Sequence, residues 1–259
     1  MRRVSAVASL SVGAMVWVAL LGPVIALGAH LSYGATRSSL AAPGALTPLV
    51  VSLESAAISL AVLVIGCSPL AYLLAHDRLP FARLWEAGLL VALMMPPLVI
   101  GLLLVFMVGP LTPIGRGLPD LHLDATNTLF ALVIAQVYEA APYYVLGAQS
   151  AFSTVDPRLE QQAGMLGDPP RRVLRRVTLP VAAPGLAMAL AVGWARAIGA
   201  FGAVLIVAYH PQGLPLQIWT TLEERGLAAA LPFALLLLLV ALPLPLAAYA
   251  WSARARVRR

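Results

Sequence analysis

The chain has little charge, a single cysteine and no lysine. Only 11% of its 259 residues are charged and 61% are hydrophobic, whereas an average soluble domain is roughly 25% charged. A soluble fold of this length has too little interior for so many apolar side chains, which excludes an ordinary soluble enzyme and a disordered chain. Cys67 alone cannot form an intrachain disulfide, and His30, His76, His122 and His210 are scattered. We therefore expect no metal site and no cofactor in this chain.

Six apolar stretches are long enough to cross a bilayer, which takes about 20 mostly apolar residues. They cover about 9–31, 48–75, 84–108, 127–148, 179–209 and 227–251. The sequence therefore predicts an all-α, polytopic membrane protein with about six transmembrane helices, in which residues 1–259 form a single transmembrane domain. The N-terminal arginines and the apolar run after them also resemble a signal peptide, whose removal would leave five spans.

The basic residues, all 17 of them arginines, are distributed asymmetrically about these spans. Thirteen lie on one side: two precede the first span, two separate the second and third, five separate the fourth and fifth, and four follow the sixth. Three lie on the other side, and Arg196 falls inside the fifth span. The positive-inside rule then puts both termini in the cytoplasm, as an even number of spans also requires. The basic charge thus indicates topology, and we expect no nucleic-acid partner.

The cytoplasmic segment at about 150–178 is longer than the other loops. Two Asp-Pro pairs, at 156–157 and 168–169, predict the starts of two short helices. Between them, apolar residues recur at helical spacing up to Leu166, and Gly167 fits a C-terminal cap. Such a helix–glycine–helix elbow can dock into a groove of another protein, or lie as a basic interfacial helix on anionic lipid.

This segment resembles the cytoplasmic coupling loop of ABC importer permeases, which carries an EAA sequence, a glycine and a hydrophobic-x-Leu-Pro ending. The residues that match are Ala163, Gly167, Val177, Leu179 and Pro180. Where the pattern has Glu and its first Ala, this chain has Gln161 and Gln162, with Glu160 one residue upstream. The resemblance implies that these eight residues couple the chain to a cytoplasmic ATPase.

The resemblance extends over about 49–250, and it is closest to permeases for oxyanions. Span three contains Met95-Pro96-Pro97 followed by Gly101, as in permeases of the molybdate, tungstate and sulfate group. Span five reads A-R-A-I-G-A-F-G-A, where oxyanion permeases carry Glu in place of Ala200. The resemblance implies a type I ABC importer permease fold.

Spans three and five are expected to line the transport pathway and to contain its gate, because proline and glycine loosen helices and let them approach closely. The expected pathway residues are Met95, Pro96, Pro97, Gly101, Arg196, Gly199 and Gly202. Close approach of span five to other helices is also expected at Gly193. The outer loop after span five, which contains Trp219, is amphipathic enough to lie at the membrane interface. In the family, such loops help to receive the binding protein.

Three ionisable side chains fall within the spans, namely Glu54, Glu139 and Arg196, and such residues are costly in a membrane and usually functional. Arg196 either lies along an anion path or pairs with Glu139 between two helices. The pair is favoured, because an exposed cation would trap a divalent oxyanion.

The function implied is that of the membrane subunit of a binding-protein-dependent ABC importer in a prokaryotic plasma (inner) membrane. It would move molybdate or tungstate by alternating access, with sulfate or another small anion as the alternative. Two copies would form one pathway, served by an extracytoplasmic substrate-binding protein and a cytoplasmic ATPase dimer that binds ATP and magnesium. This chain has no P-loop of its own. Outside this class, proton coupling through Glu139 would indicate an ion-driven carrier or channel.

Overall fold

The computed structural model describes residues 2–30, 33–118 and 123–257, and it contains no β-strand among them. The prediction of an all-α chain is thus confirmed. The helices are α1 (Arg2–His30), α2 (Tyr33–Ala41), α3 (Thr47–Val62), α4 (Ser68–Ala75), α5 (Ala82–Met94), α6 (Pro97–Val108), α7 (Pro113–Gly117), α8 (Leu129–Phe152), α9 (Pro157–Met165), α10 (Pro170–Val173), α11 (Leu179–Ile198), α12 (Gly202–Val207), α13 (Leu214–Arg225), α14 (Leu227–Ala241) and α15 (Pro243–Val257). Two π-helical turns, Leu63–Cys67 and Leu174–Thr178, join α3 to α4 and α10 to α11.

Five helical stretches of the described residues are long and apolar enough to cross a membrane, and there are six if one bent pair counts as a span. The five are Ser11–His30, Thr47–Ala75, Leu129–Phe152, Pro170–Val207 and Leu227–Arg254. Each overlaps a predicted span. The boundaries differ most from the prediction around the elbow segment, where the fourth span ends later than predicted and the fifth begins earlier.

The third predicted span, 84–108, is not one continuous helix but a bent pair of helices. Helices α5 and α6 meet at a bend of 116°. Met95 and Pro96 have extended backbones at the bend, with ψ of 131° and 135°. A residue that precedes a proline is pushed out of the α region, and Met95 and Pro96 each precede one. Pro97 then begins α6 at the position where a missing N–H is harmless.

The fifth span is continuous with the segment that precedes it. Helix α10, the π-helical turn and α11 follow one another without a gap from Pro170 to Ile198. This run is about 43 Å long at 1.5 Å per residue, which exceeds the roughly 30 Å of a hydrocarbon core. The predicted second elbow helix is therefore the beginning of span five. A break at 199–201 separates α11 from α12.

Helix α8 is the central element of the fold. It packs against α3, α4, α5, α6, α11 and α12, and 56% of its most apolar stretch is buried, against 0% for Ser11–His30 in α1. Tyr144, Val145 and Ala148 of α8 lie in the largest apolar cluster, together with Leu63 and Ala189 from neighbouring elements. The other spans are thus arranged around α8.

Small residues allow α8 and α11 to approach closely. A Cβ atom added to Gly185 would lie 2.6 Å from Cβ of Ala151, and one added to Gly147 would lie 3.0 Å from Cβ of Ala189. Gly147 and Ala151 are four positions apart in α8, as are Gly185 and Ala189 in α11. This spacing of small residues is typical of close membrane-helix pairs. The predicted contact at Gly193 is looser, because an added Cβ there would have its nearest neighbours at 3.6 Å.

We predict that Gly185→Ala destabilises the protein by about 1–3 kcal/mol, the usual cost of an overpacked core. Gly88→Ala is the matched control, because a Cβ added to Gly88 meets nothing within 4 Å. It should leave stability unchanged or raise it by up to about 1 kcal/mol through helix propensity. Thermal unfolding in detergent, followed by tryptophan fluorescence, measures both. Equal midpoints for the two variants would contradict the close packing of α8 and α11.

Candidate transport pathway and cytoplasmic elbow

The elbow, residues 156–178, begins as its sequence predicts. Asp156 Oδ1 accepts a hydrogen bond from the backbone N of Arg158 at 2.9 Å, and Pro157 is the first residue of α9. At the other end of α9, Gly167 has a positive φ of 89°. The backbone N of the next residue, Asp168, donates to Ala163 O at 3.2 Å. This is the glycine cap expected after Leu166.

The second helix of the elbow begins differently from the prediction. Pro169 occupies the N-cap position and Pro170 the first helical position. Asp168 does not cap this helix, and its Oδ1 instead accepts a hydrogen bond from Arg172 Nη1 at 3.0 Å. The predicted role of Asp168 is therefore wrong, because a proline pair supplies the helix start and leaves the carboxylate free for an i, i+4 ion pair.

The tip of the elbow is apolar and exposed. Met165 is 80% exposed and Leu166 is 89% exposed, although Leu166 falls in the apolar repeat from which a helix face was predicted. Neither residue belongs to the expected coupling set. Within that set, Gln161, Gln162, Gly167, Leu179 and Pro180 are exposed, and Ala163 and Val177 are half-buried. Two large apolar side chains in water at the end of a polar segment are typical of a docking surface.

Glu160 differs from the rest of this set because its carboxylate faces into the chain. Its side chain is only 11% exposed. Oε2 lies 3.2 Å from His76 Nε2, at the end of α4, and Oε1 accepts a hydrogen bond from Thr178 Oγ1, at the start of α11. Sequence reasoning placed Glu160 in the motif, but it did not identify His76 or Thr178 as partners.

The broken halves of spans three and five pack directly on each other. A Cβ added to Gly101 in α6 would lie 2.8 Å from Cβ of Ile206 in α12, and one added to Gly202 would lie 2.6 Å from Cβ of Pro97. A second apolar cluster, which includes Ile100 of α6 and Ala203 of α12, also contains Ala200, and Met95 packs against it. The structure thus brings Met95, Pro97, Gly101 and Gly202 of the expected set together, whereas Pro96 and Gly199 lie at the two breaks and Arg196 contacts Tyr143.

The buried charges do not form the predicted ion pair. Glu139 is 5% exposed, and its Oε1 accepts a hydrogen bond from the backbone N of Ala203 at 3.2 Å. The Arg196 guanidinium carbon lies 4.6 Å from the centre of the Tyr143 ring, and its Nε is buried without a hydrogen-bond partner. Glu139 therefore holds the start of α12 against α8, while Arg196 has an aromatic contact instead. Glu54 is exposed.

A buried polar ladder between α3 and α8 was missed by sequence reasoning. Ser59 Oγ donates to Gln136 Oε1 at 2.9 Å, and Gln136 Nε2 donates to Ser55 Oγ at 3.0 Å. Farther out, Ser52 Oγ accepts from the backbone N of Leu214 at 2.7 Å. The signal was present in the sequence, because serines at i, i+3 and i+7 share one helix face and polar side chains join helices in membranes.

Helix α13, which follows span five, packs back onto the protein. Leu214 and Leu216 are 0% and 1% exposed, and the Trp219 ring centre lies 5.8 Å from that of Phe201. Because Phe201 immediately precedes α12, the amphipathic outer loop lies beside the break in span five. This loop therefore contacts the region where the expected gate residues of α6 and α12 meet.

A family model described as "binding-protein-dependent transport system inner membrane component" matches residues 67–257. The chain belongs to this family. The match begins within span two and includes the elbow and both broken spans. This inner membrane component is accordingly a multi-pass membrane protein, as its apolar helices indicate.

Named relatives share substantial identity with this inner membrane component. It is 41% identical over 192 residues to a probable molybdenum ABC transporter permease protein of Haloferax volcanii, covering 74% of this chain and 70% of the relative. It is 32% identical to the molybdenum transport system permease protein ModB of Mycobacterium tuberculosis, covering 87% of each. It is 30% identical to the molybdate/tungstate transport system permease protein WtpB of Thermococcus kodakarensis, covering 71% of this chain and 69% of the relative.

The fold has counterparts among solved structures. A bacterial alginate ABC transporter, crystallised in complex with an alginate pentasaccharide-bound periplasmic protein, contains a chain that superposes with a TM-score of 0.73 at 16% identity. The match covers 98% of this inner membrane component and 96% of that chain. The predicted type I ABC importer permease fold is thus confirmed.

We predict that Glu139→Gln leaves stability nearly unchanged, whereas Glu139→Ala lowers it by about 1–3 kcal/mol. The amide keeps an oxygen acceptor for the backbone N of Ala203, but alanine leaves that buried donor unpaired. Thermal unfolding in detergent measures both variants. If glutamine were as harmful as alanine, the negative charge itself would be required, as in an ion pair or a proton-coupled carrier.

Proposed function

We propose that this chain is the membrane permease subunit of an ABC importer that moves a small oxyanion, molybdate or tungstate, into the cytoplasm. The relatives named for molybdenum, molybdate or tungstate transport support this substrate class, because the identity extends over 70% or more of the chain. Sulfate or another small anion is the alternative. Tetrahedral oxyanions differ mainly in size, and discrimination among them is assigned to the binding protein.

The observation that carries the coupling role is the exposed apolar tip of the elbow and its connection to span five. Met165 and Leu166 form the tip, and the helical run from Pro170 leads from the elbow into α11 without a gap. An ATPase that takes the tip into a groove would thereby hold the end of a pathway helix. The ATPase dimer supplies the ATP and magnesium site, and its closure on ATP would displace the elbow.

The complete assembly would contain a second copy of this chain and an extracytoplasmic binding protein. Both termini and the elbow lie in the cytoplasm in this proposal, because 13 of the 17 arginines flank the spans on that side. The binding protein approaches from the opposite side, where α13 is located. A solved transporter of the same fold in complex with a periplasmic protein supports this arrangement.

The gate is proposed at the contact between α6 and α12. Gly101 and Gly202 leave little space between these half-helices, so a small separation of the two would open a path that close packing otherwise seals. The apolar lining suits a doubly charged anion, because transport needs binding weak enough for release. Arg196 lies on the same span and its guanidinium is covered by Tyr143, which would weaken its hold on a passing anion.

The coupling role predicts that Leu166→Glu reduces ATPase binding. A charge in place of a central apolar anchor costs about 2 kcal/mol or more at a protein interface, so co-purification of the ATPase should fall at least about tenfold. Pull-down of the ATPase with the tagged permease from detergent extracts measures the effect.

Arg158→Gln is the matched control, because it changes the net charge by the same amount on the exposed first turn of α9. Co-purification should stay at the wild-type level in this variant. Equal ATPase recovery with Leu166→Glu and with the wild type would show that the elbow tip is not part of the surface that binds the ATPase.

The substrate assignment predicts ATP-dependent uptake of radiolabelled molybdate by proteoliposomes that contain the permease, the ATPase and the binding protein. Excess tungstate should compete fully and sulfate only weakly, since the anions are distinguished by size. Stronger competition by sulfate than by tungstate would favour the alternative substrate. Uptake driven by a pH gradient without ATP would instead indicate an ion-driven carrier.

A further inference from the structure

His76, directly after α4, contacts the elbow through a buried pair of side chains. Its Nδ1 lies 2.9 Å from the backbone O of Tyr72, and its Nε2 lies 3.2 Å from Oε2 of Glu160. The two side chains are only 10% and 11% exposed. Because Glu160 Oε1 also accepts a hydrogen bond from Thr178 Oγ1, this carboxylate joins the end of span two to the start of α11.

The hydrogen-bond geometry requires a proton between His76 and Glu160. A backbone carbonyl oxygen only accepts hydrogen bonds, so His76 Nδ1 carries a proton toward Tyr72 O. A neutral imidazole with its proton on Nδ1 would then point the lone pair of Nε2 at an oxygen of Glu160. The contact is favourable only with a second proton between Nε2 and Oε2, either as an imidazolium–carboxylate pair or as a protonated carboxyl donating to the ring.

Aromatic side chains fix the His76 ring in place. The Tyr72 ring centre lies 4.2 Å from that of His76, and Phe152 at the end of α8 packs edge-on against Tyr72. The other titratable and charged groups that line the same cytoplasmic cavity are Tyr72, Asp77, Arg78 and Asp168. Of these, Arg78 lies over the Tyr72 ring, with its guanidinium carbon 5.7 Å from the ring centre.

We propose that His76 and Glu160 are positioning residues that form a proton-dependent latch between span two and the elbow. With the latch closed, displacement of the elbow by the ATPase moves span two together with span five. With the latch open, the elbow still docks, but span two does not follow, so ATP is hydrolysed with less transport. The proposal rests on the function proposed above, because it takes the elbow as the ATPase docking site.

The test uses proteoliposomes of the permease with its ATPase and binding protein. The ratio of radiolabelled molybdate taken up to ATP hydrolysed is measured over about pH 5 to 8. The wild-type ratio should fall toward the alkaline end as the shared proton is lost. His76→Ala should lower the ratio about tenfold at acidic pH, the effect of losing a hydrogen bond to a charged group, with ATPase co-purification unchanged.

Two conservative variants separate a proton-dependent latch from a merely structural contact. His76→Gln offers an amide donor to Glu160 at every pH, and Glu160→Gln offers an amide that can donate to a neutral imidazole or accept from an imidazolium. Both should retain coupling and lose its pH dependence. His210→Ala, which removes an exposed histidine after span five, should keep the wild-type pH profile.

A wild-type uptake-to-ATP ratio in His76→Ala would overturn the latch. A pH profile of His76→Gln or Glu160→Gln that parallels the wild type would do the same, and this comparison decides the matter if His76→Ala does not assemble. Absence of ATP-dependent molybdate uptake by the wild-type complex would instead overturn the proposed function, and with it the latch.

Discussion

A bilayer permits a helix to break only where the freed backbone groups find partners inside the protein. This chain breaks two of its spans, at Met95–Pro96 and at 199–201, and the two short halves that follow lie against each other. Glu139 supplies an acceptor to the start of α12 from the most buried helix of the fold. The need to satisfy that backbone thus explains why a polar acceptor is kept in the interior, and the close approach of α6 to α12 explains the glycines at their contact.

The elements that the sequence predicts well are those set by the bilayer or by neighbouring residues. The apolar stretches follow from span length, and the Asp156 cap and the Gly167 turn depend only on residues a few positions away. Pro96 and Pro97 indicate weakness in span three but not a bend of 116°, because the angle is set by what α6 packs against. The rule that Asp-Pro begins a helix fails at Asp168, because a second proline follows and the helix begins one residue later, at Pro170.

The contacts that escaped prediction join residues far apart in the chain. His76 and Glu160 are 84 positions apart, and Ser59 and Gln136 are 77 apart. One sequence shows which polar residues occur in each span, but it does not show which spans face each other. The pairing of Arg196 with Glu139 was a reasonable expectation from opposite charge at membrane depth. The direct contacts are instead a backbone donor for Glu139 and an aromatic ring for Arg196, and neither of these groups carries a charge that composition could reveal.

Span two holds polar contacts at both of its ends, Ser52 with the outer loop and His76 with the elbow. The two positions are separated by about 36 Å of helix, interrupted only by the π-helical turn Leu63–Cys67. Thermodynamic linkage requires that coupling between two sites be reciprocal. Span two would then couple the two ends. The free energy by which ATPase binding at the elbow changes binding-protein affinity at the outer loop would equal the free energy of the reverse effect. Docking of an anion-loaded binding protein would thus change ATPase affinity at the elbow before any anion has crossed the membrane.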